Sequence, residues 1–172
     1  MVTVEQIIYI LPILGLTASI TYYALVIRNQ TKTRQVQLFM QIFQQINSEE
    51  GLKSWAEVVN LEVKDYEEFL QKYDSSVNPA HYAKRGKIWY SLNTIGELLR
   101  MGVIDIELLH RLAMAPMTIV MWEKWEHILK EMRKNENAPE LYEGFEHLYN
   151  EISKLRKKKD YPDYSYPNAS QQ

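Results

Sequence analysis

The run of 21 residues from Ile7 to Ile27 contains no charged side chain, and it constrains the fold more than any other feature of the chain. At about 1.5 Å of rise per residue, a helix of this length spans roughly 31 Å, which matches the hydrocarbon core of a bilayer. The sequence therefore predicts one N-terminal transmembrane helix at residues 7–27, after a short extracytoplasmic N-terminus at residues 1–6. The alternatives are a buried core helix and a cleaved signal peptide, and a signal peptide would carry its basic residues before the apolar run.

The charged residues that flank this run predict its orientation. Arg28, Lys32 and Arg34 follow it closely, whereas Glu5 and the terminal amine are the only charges before it. Basic residues beside a membrane helix favour the cytoplasmic side of the bilayer. We therefore expect a single-pass protein of the inner or plasma membrane, with its N-terminus outside, its C-terminal domain in the cytoplasm and the lipid bilayer as its first partner.

Small and hydroxylated residues within the run bear on how it would pack in lipid. Gly15 and Ser19 stand four residues apart, a spacing that lets two membrane helices approach closely, although the motif is common and weak. The hydroxyl groups of Thr17, Ser19 and Thr21 can donate hydrogen bonds to carbonyl groups of their own helix, so they cost little in a membrane. The run is thus compatible with self-association or with packing against another span.

The remainder of the chain is nearly neutral and lacks cysteine. It carries all 20 basic residues and 21 of the 22 acidic residues, which gives a formal charge of −1. A dedicated nucleic-acid-binding protein would show a strongly basic face, so no nucleic-acid partner is expected. The absence of cysteine excludes disulfides, thiol catalysis and zinc sites built on cysteine.

The apolar periodicity beyond the run is helical throughout and predicts an all-α fold. We expect the anchor to continue as a juxtamembrane helix over residues 28–47. A cytoplasmic bundle of about five to six helices should then occupy residues 48–159, and residues 160–172 should form a disordered tail because they are polar and rich in proline.

Local signals predict where several helices begin and end. Ser48 and Asp105 are suited to cap the starts of helices because their side chains can accept hydrogen bonds from backbone N–H groups of the first turn. Gly102 is placed to adopt the left-handed conformation that ends a helix, here the long helix over about residues 79–101. The last helix is predicted over about residues 140–158.

Two similar segments, offset by 20 residues, hold the only candidate metal ligands. Glu123 and His127 stand four residues apart, as do Glu143 and His147, so each pair shares one helix face. Bundles that hold two irons use Glu-x-x-His pairs, which are one residue shorter, and Lys124 beside the first pair suggests a solvated face. These four residues are therefore weak metal candidates, ion pairing at the surface is the favoured interpretation, and no cofactor is expected.

The basic cluster near the end of the last helix allows two interpretations. Cations at a helix C-terminus interact favourably with the helix dipole. Alternatively they attract anionic lipid, an effect of about 1 kcal/mol per basic residue near a membrane surface. The cluster consists of Lys154, Arg156, Lys157, Lys158 and Lys159.

Motifs for catalysis are missing from the sequence. It has no Gly-x-Ser-x-Gly elbow, no phosphate-binding glycine loop and no dinucleotide-binding glycine pattern. We therefore predict a single-span, membrane-anchored interaction or scaffold protein, not an enzyme, with a protein partner or self-association. The alternatives are an accessory subunit of a larger membrane complex and a membrane-tethered, metal-dependent enzyme that uses the two Glu-x-x-x-His pairs.

Between Ser91 and Glu151, about a third of the chain, the sequence resembles a prokaryotic family of membrane-anchored helical proteins known as a domain of unknown function. The resemblance implies one N-terminal span followed by a cytoplasmic helical domain. It implies no activity and no catalytic residue, because the matching motifs are mostly structural: a helix end, a cap and packing aromatic residues. The matching residues are Leu92, Asn93 and the segments 96–100, 102–105, 122–133 and 142–146.

Overall fold

The computed structural model of the chain describes residues 4–162, and the side chains of residues 12–162. Seven helices and no strand occur in this part of the chain, so the predicted all-α class is confirmed. Six helices follow the first one, in agreement with the expected bundle. The helices are α1 (Val4–Ile46), α2 (Glu49–Asn60), α3 (Tyr66–Tyr73), α4 (Pro79–Arg100), α5 (Ile106–Arg111), α6 (Met114–Asn135) and α7 (Glu143–Lys158).

The chain divides into two compact units, and the division falls inside α1. The N-terminal unit ends at Leu38, and the second unit, here called the helical domain, begins at Phe39. Among the described residues, no helix is long and apolar enough to cross a membrane. The span predicted at residues 7–27 therefore stays a prediction, and the side chains of residues 7–11, which begin that run, lie outside the described part.

The largest side chains in the core of the helical domain are aromatic. Residues from α1, α3, α4, α6 and α7 contribute to it, and burying such large rings provides most of the hydrophobic stabilisation of a domain of this size. Phe39 and Ile46, near the C-terminal end of α1, are completely buried. The largest buried rings are those of Phe69, Trp89, Trp122, Trp125 and Phe145.

The predicted helix signals are confirmed by hydrogen bonds. The side chains of Ser48 and Asp105 accept hydrogen bonds from the N–H groups of Gly51 and Leu108, at 3.0 Å and 2.7 Å. Gly102 has a φ of +67°, and the N–H of Val103 donates to the carbonyl of Leu98 at 2.9 Å, which closes the end of α4. The start of α7 differs from its prediction: the helix begins at Glu143, and the preceding residue is left-handed with a φ of 59°.

Helices α4 and α7 approach so closely that only glycine fits at their contact. A β-carbon at Gly96 would lie 1.7 Å from the carbonyl oxygen of Gly144, and a β-carbon at Gly144 would lie 2.3 Å from the carbonyl oxygen of Asn93. The side-chain amide oxygen of Asn93 also accepts a hydrogen bond from the N–H of Phe145 at 3.2 Å. This contact fixes α7 in the domain, and α6 then packs antiparallel to it, with the Trp122 ring 5.0 Å from that of Phe145.

A buried arginine lies among aromatic rings between α3 and α4. The Arg85 guanidinium carbon is 4.5 Å from the centre of the Phe69 ring and 5.1 Å from that of Trp89. Its Nη1 donates to the carbonyl of Tyr73 at 2.8 Å. Only 3% of Arg85 is exposed, and it forms no ion pair within the described residues. Its charge is therefore stabilised by ring faces and one carbonyl group.

His81 lies near Arg85 and its aromatic neighbours. Neither of the ring nitrogen atoms of His81 has a hydrogen-bond partner among the described residues. Its ring centre is 4.7 Å from that of Tyr73. Burial, followed by the positive charges of Arg85 and Lys84, lowers the pKa of His81, while Glu57 opposes that shift. The folded domain therefore favours the neutral imidazole.

This lowered pKa predicts a loss of stability in mild acid. The unfolded chain takes up a proton on His81 as the pH falls below about 6.5, and the folded chain resists doing so, which favours unfolding. We expect the melting temperature to fall between pH 7.5 and pH 5 (about the range in which only histidine titrates). In His81→Phe this slope should be smaller. The control is His127→Phe at an exposed site, in which the fall of the melting temperature should be as large as in the wild-type protein. A fall of wild-type size in His81→Phe would contradict its assignment to His81.

Candidate functional site

A groove lies between the connection from α2 to α3 and one face of α6. We call it the α6 groove, and it consists of two cavities that share Lys64 and His127 in their walls. The first cavity has a volume of about 510 Å³, and its walls include Glu62, Val63, Lys124 and Trp125. The second has a volume of about 780 Å³, and its walls include Tyr66, Lys130, Arg133, Lys134 and Pro139. Both volumes are typical of sites for small ligands.

Hydrogen bonds at the start of α3 hold one wall of the groove in place. The Asp65 side chain accepts from the N–H of Glu68 at 2.9 Å, and the Glu68 carboxylate accepts from the N–H of Lys64 at 2.7 Å. The first bond satisfies a backbone donor that the first turn of a helix leaves free, and the second ties the residue before the cap to the same turn. The Lys72 ammonium group also contacts Glu68 at 2.6 Å, so this carboxylate is fully engaged and its pKa is lowered.

The opposite wall comes from residues three and four positions apart on α6. Lys124, His127, Glu131 and Lys134 follow this spacing, so they share one helix face. Trp125 forms a rigid part of the wall: only 1% of it is exposed, and its ring lies 5.3 Å from that of Trp89. The groove is thus anchored directly on the aromatic core.

Several charged side chains of the groove are already paired. Lys130 contacts Glu126, and Lys134 contacts Glu131, each at 2.6 Å. Arg133 forms an ion pair with Glu146 of α7, and its Nε donates to the carbonyl of Leu141 at 2.8 Å. These residues shape the groove, but their charges are largely neutralised by their own partners.

Three basic side chains of the groove form no ion pair or side-chain hydrogen bond among the described residues: Lys64, Lys124 and His127. Lys124 is half-buried, whereas Glu123 and His127 are exposed. Burial lowers the pKa of Lys124, and the attraction of Glu62 opposes that shift only in part. The groove therefore contains basic groups that an acidic ligand could reach.

The four weak metal candidates are placed in different surroundings. Glu123 accepts a hydrogen bond from the Tyr149 hydroxyl group at 3.3 Å, and Glu143 lies 3.3 Å from Arg100. His127 lines the α6 groove, and His147 is half-buried on α7. Among the described residues, no three histidine or carboxylate side chains are grouped so that they could hold a metal ion.

The basic cluster at the end of α7 is partly engaged within the domain. Lys154 pairs with Glu151 and Lys159 pairs with Glu107, each at 2.7 Å. The guanidinium carbon of Arg156 lies 5.6 Å from the centre of the Tyr161 ring. Lys157 and Lys158 have no such partner in the part of the chain that the structure describes. The tail predicted at residues 160–172 is described only as far as residue 162.

In the N-terminal unit, the basic flank Arg28, Lys32 and Arg34 is exposed and forms no ion pair among the described residues. The Ser19 hydroxyl group donates to the carbonyl of Gly15 at 2.8 Å. The hydroxyl groups of Thr17 and Thr21 likewise donate to carbonyls four residues earlier, at 2.8 Å and 2.9 Å. The expectation that these hydroxyl groups donate hydrogen bonds to carbonyl groups of their own helix is confirmed.

The α6 groove was not among the sequence predictions. Its two walls come from residues 62–68 and 124–139, which are far apart in the chain. The periodic row of polar residues on α6 was the available signal, but the same row is typical of a helix face that simply meets water.

A family model described as a domain of unknown function (DUF4760) matches residues 10–152 of the chain. No curated protein and no solved structure matches the chain. The match extends well beyond the segment between Ser91 and Glu151 that carried the resemblance in sequence, and it includes both units of the chain.

Proposed function

This chain belongs to the family described as a domain of unknown function (DUF4760), and from that premise we propose that it is a membrane-anchored helical interaction module. One observation carries the proposal: the apolar side chains in the N-terminal part of α1 are exposed all around the helix. Between Ile13 and Ile27, eight of them have exposed fractions of 55–65%. A helix that is apolar on every side is stable when protein or lipid surrounds it.

Two further features support the membrane part of this proposal. The hydroxyl groups of Thr17, Ser19 and Thr21 are all bonded within the helix, so they would enter lipid already satisfied. The unpaired cations Arg28, Lys32 and Arg34 follow the apolar run on one side. By the positive-inside rule, the helical domain lies in the cytoplasm beneath the inner or plasma membrane.

Charge introduced into the apolar run should release the protein from the membrane. An arginine at the centre of a membrane helix costs about 3 kcal/mol during insertion. We therefore expect the wild-type protein to remain in the membrane pellet after alkaline extraction, and the double variant Leu16→Arg, Ile20→Arg to move to the soluble fraction. The control is Leu38→Arg at an exposed leucine outside the run, and this variant should stay in the pellet.

The orientation can be read from single cysteines, because the natural chain has none. A membrane-impermeant maleimide should label Val2→Cys in intact cells and Lys158→Cys only after the cells are permeabilised. Release of the wild-type protein by alkaline extraction would overturn the anchor, and labelling of Lys158→Cys in intact cells would overturn the orientation.

A second candidate function is that of an accessory subunit in a larger membrane complex, and the surroundings of Gly15 favour it. A β-carbon at Gly15 would meet no atom of the described residues within 4 Å, so the backbone there is open to close approach by another helix. Crosslinking in native membranes separates the two candidates. A stoichiometric partner would support the subunit, and crosslinks only between copies of this chain would support a self-associating module.

A further inference from the structure

We propose that the α6 groove binds an organic phosphate monoester, whose phosphate group is held by Lys64, Lys124 and His127. This inference goes beyond the proposed membrane role and does not depend on it, because the groove lies entirely within the helical domain. It rests on the unpaired basic side chains of the groove, on the number of hydrogen-bond donors that they offer, and on the shape and lining of the two cavities.

Basic side chains without an ion-pair partner outnumber such acidic side chains in the walls of the groove. Lys64, Lys124 and His127 have no ion-pair partner among the described residues, and the same holds for the acidic wall residues Glu62 and Asp65. The remaining acidic groups of the walls are paired with lysines: Glu68 contacts Lys72, and Glu131 contacts Lys134. An anion that enters the groove therefore meets basic side chains that are not already bound in an ion pair, although Glu62 attracts Lys124.

The burial of Lys124 adds to the attraction. A half-buried ammonium group has lost part of its hydration, so an anion beside it restores an interaction that water no longer supplies. The wall behind it is the buried ring of Trp125, which keeps water from one side of the cavity. Electrostatic attraction is stronger where water is excluded than at an open surface.

The donors and the cavity walls indicate the class of anion. Two ammonium groups and one imidazole match the three terminal oxygen atoms and nearly two negative charges of a phosphate monoester. Val63 in the first cavity, with Tyr66 and Pro139 in the second, offers apolar contacts to an organic group. The two cavities share Lys64 and His127, so the phosphate fits at their border and the organic group beside it.

Calorimetric titration of the full chain in detergent with phenyl phosphate tests this proposal. We expect saturable binding by the wild-type protein, and no binding of phenol, which lacks the phosphate group. Lys124→Gln and Lys64→Gln should each weaken the binding of phenyl phosphate by about ten-fold, since each removes one charge-assisted hydrogen bond. Thermal melts of both variants serve to check that they fold. Because the Lys64 side chain is exposed, its replacement should not disturb the core.

The matched control is Lys53→Gln, an exposed lysine of α2 that pairs with Glu49 outside the groove. Its affinity for phenyl phosphate should equal that of the wild-type protein. Absence of binding to the wild-type protein, or equal losses in all three variants, would overturn the proposal. Vesicles that contain phosphatidic acid distinguish the two sources of the phosphate group. If the wild-type protein binds them and Lys124→Gln and Lys64→Gln do not, the ligand is a lipid headgroup. If the protein binds phenyl phosphate but not these vesicles, the ligand is a soluble ester.

Discussion

Replacing Gly96 with alanine should destabilise the helical domain by about 3 kcal/mol or more, the upper part of the range for overpacked cores. The new β-carbon would lie 1.7 Å from the carbonyl oxygen of Gly144 and 2.4 Å from its carbonyl carbon. Both atoms belong to the backbone of α7, so no side chain can rotate away and the two helices must separate. Urea denaturation followed by circular dichroism measures the loss.

Gly86 provides the matched control because it lies in the same helix. A β-carbon there would be 3.5 Å from the Tyr90 ring, an ordinary contact distance. Alanine is favoured over glycine in a helix by roughly 0.5–1 kcal/mol, so Gly86→Ala should be neutral or stabilising. Gly144→Ala should resemble Gly96→Ala, since its β-carbon would lie 2.3 Å from the carbonyl oxygen of Asn93. Similar stabilities for Gly86→Ala and Gly96→Ala would contradict this account.

The contact between α4 and α7 also explains the residues on which the sequence resemblance rests. Asn93, Gly96 and Arg100 of α4 meet Glu143 and Gly144 of α7. The side chains provide a hydrogen bond and an ion pair around the point where the two glycines allow the backbones to touch. These residues therefore form a contact between two helices, which agrees with the structural character of the motifs that carry the resemblance.

The sequence predicted those features of the fold that depend on neighbouring residues. The caps at Ser48 and Asp105 and the helix end at Gly102 follow from side chains and backbone conformations within a few residues of each other. The start of α7 was placed too early because Tyr142 adopts a left-handed conformation, and no local signal predicts this for tyrosine. Its ring is buried against Trp89, so packing from a distant helix decides the conformation.

The α6 groove and the buried arginine could not be predicted for the same physical reason. Lys124 and Lys64 are 60 positions apart, and periodicity alone does not show whether a lysine on a helix meets water or another segment. Arg85 likewise reads as a surface residue of α4, yet its guanidinium group is enclosed by rings from two helices. Both features appear only once the bundle has assembled.

Arg85→Ala should destabilise the helical domain by about 3 kcal/mol, because it removes contacts with several aromatic rings and leaves a cavity among them. The carbonyl of Tyr73 also loses its 2.8 Å hydrogen bond from Nη1. Arg85→Met fills most of the same volume without charge. Since burial penalises the guanidinium charge and lowers the pKa of Arg85, its removal offsets part of the loss. We therefore expect the methionine variant to be clearly more stable than the alanine variant in urea denaturation.

Arg100→Ala serves as the control for this pair of variants. Its side chain is 47% exposed at the end of the same helix, and it pairs with Glu97 and Glu143. Exposed ion pairs contribute about 1 kcal/mol or less, so this variant should remain close to the wild-type protein in stability. If Arg85→Met were as unstable as Arg85→Ala, the positive charge itself, held against the faces of Phe69 and Trp89, would be what stabilises the contact between α3 and α4. The volume of the side chain would then be secondary.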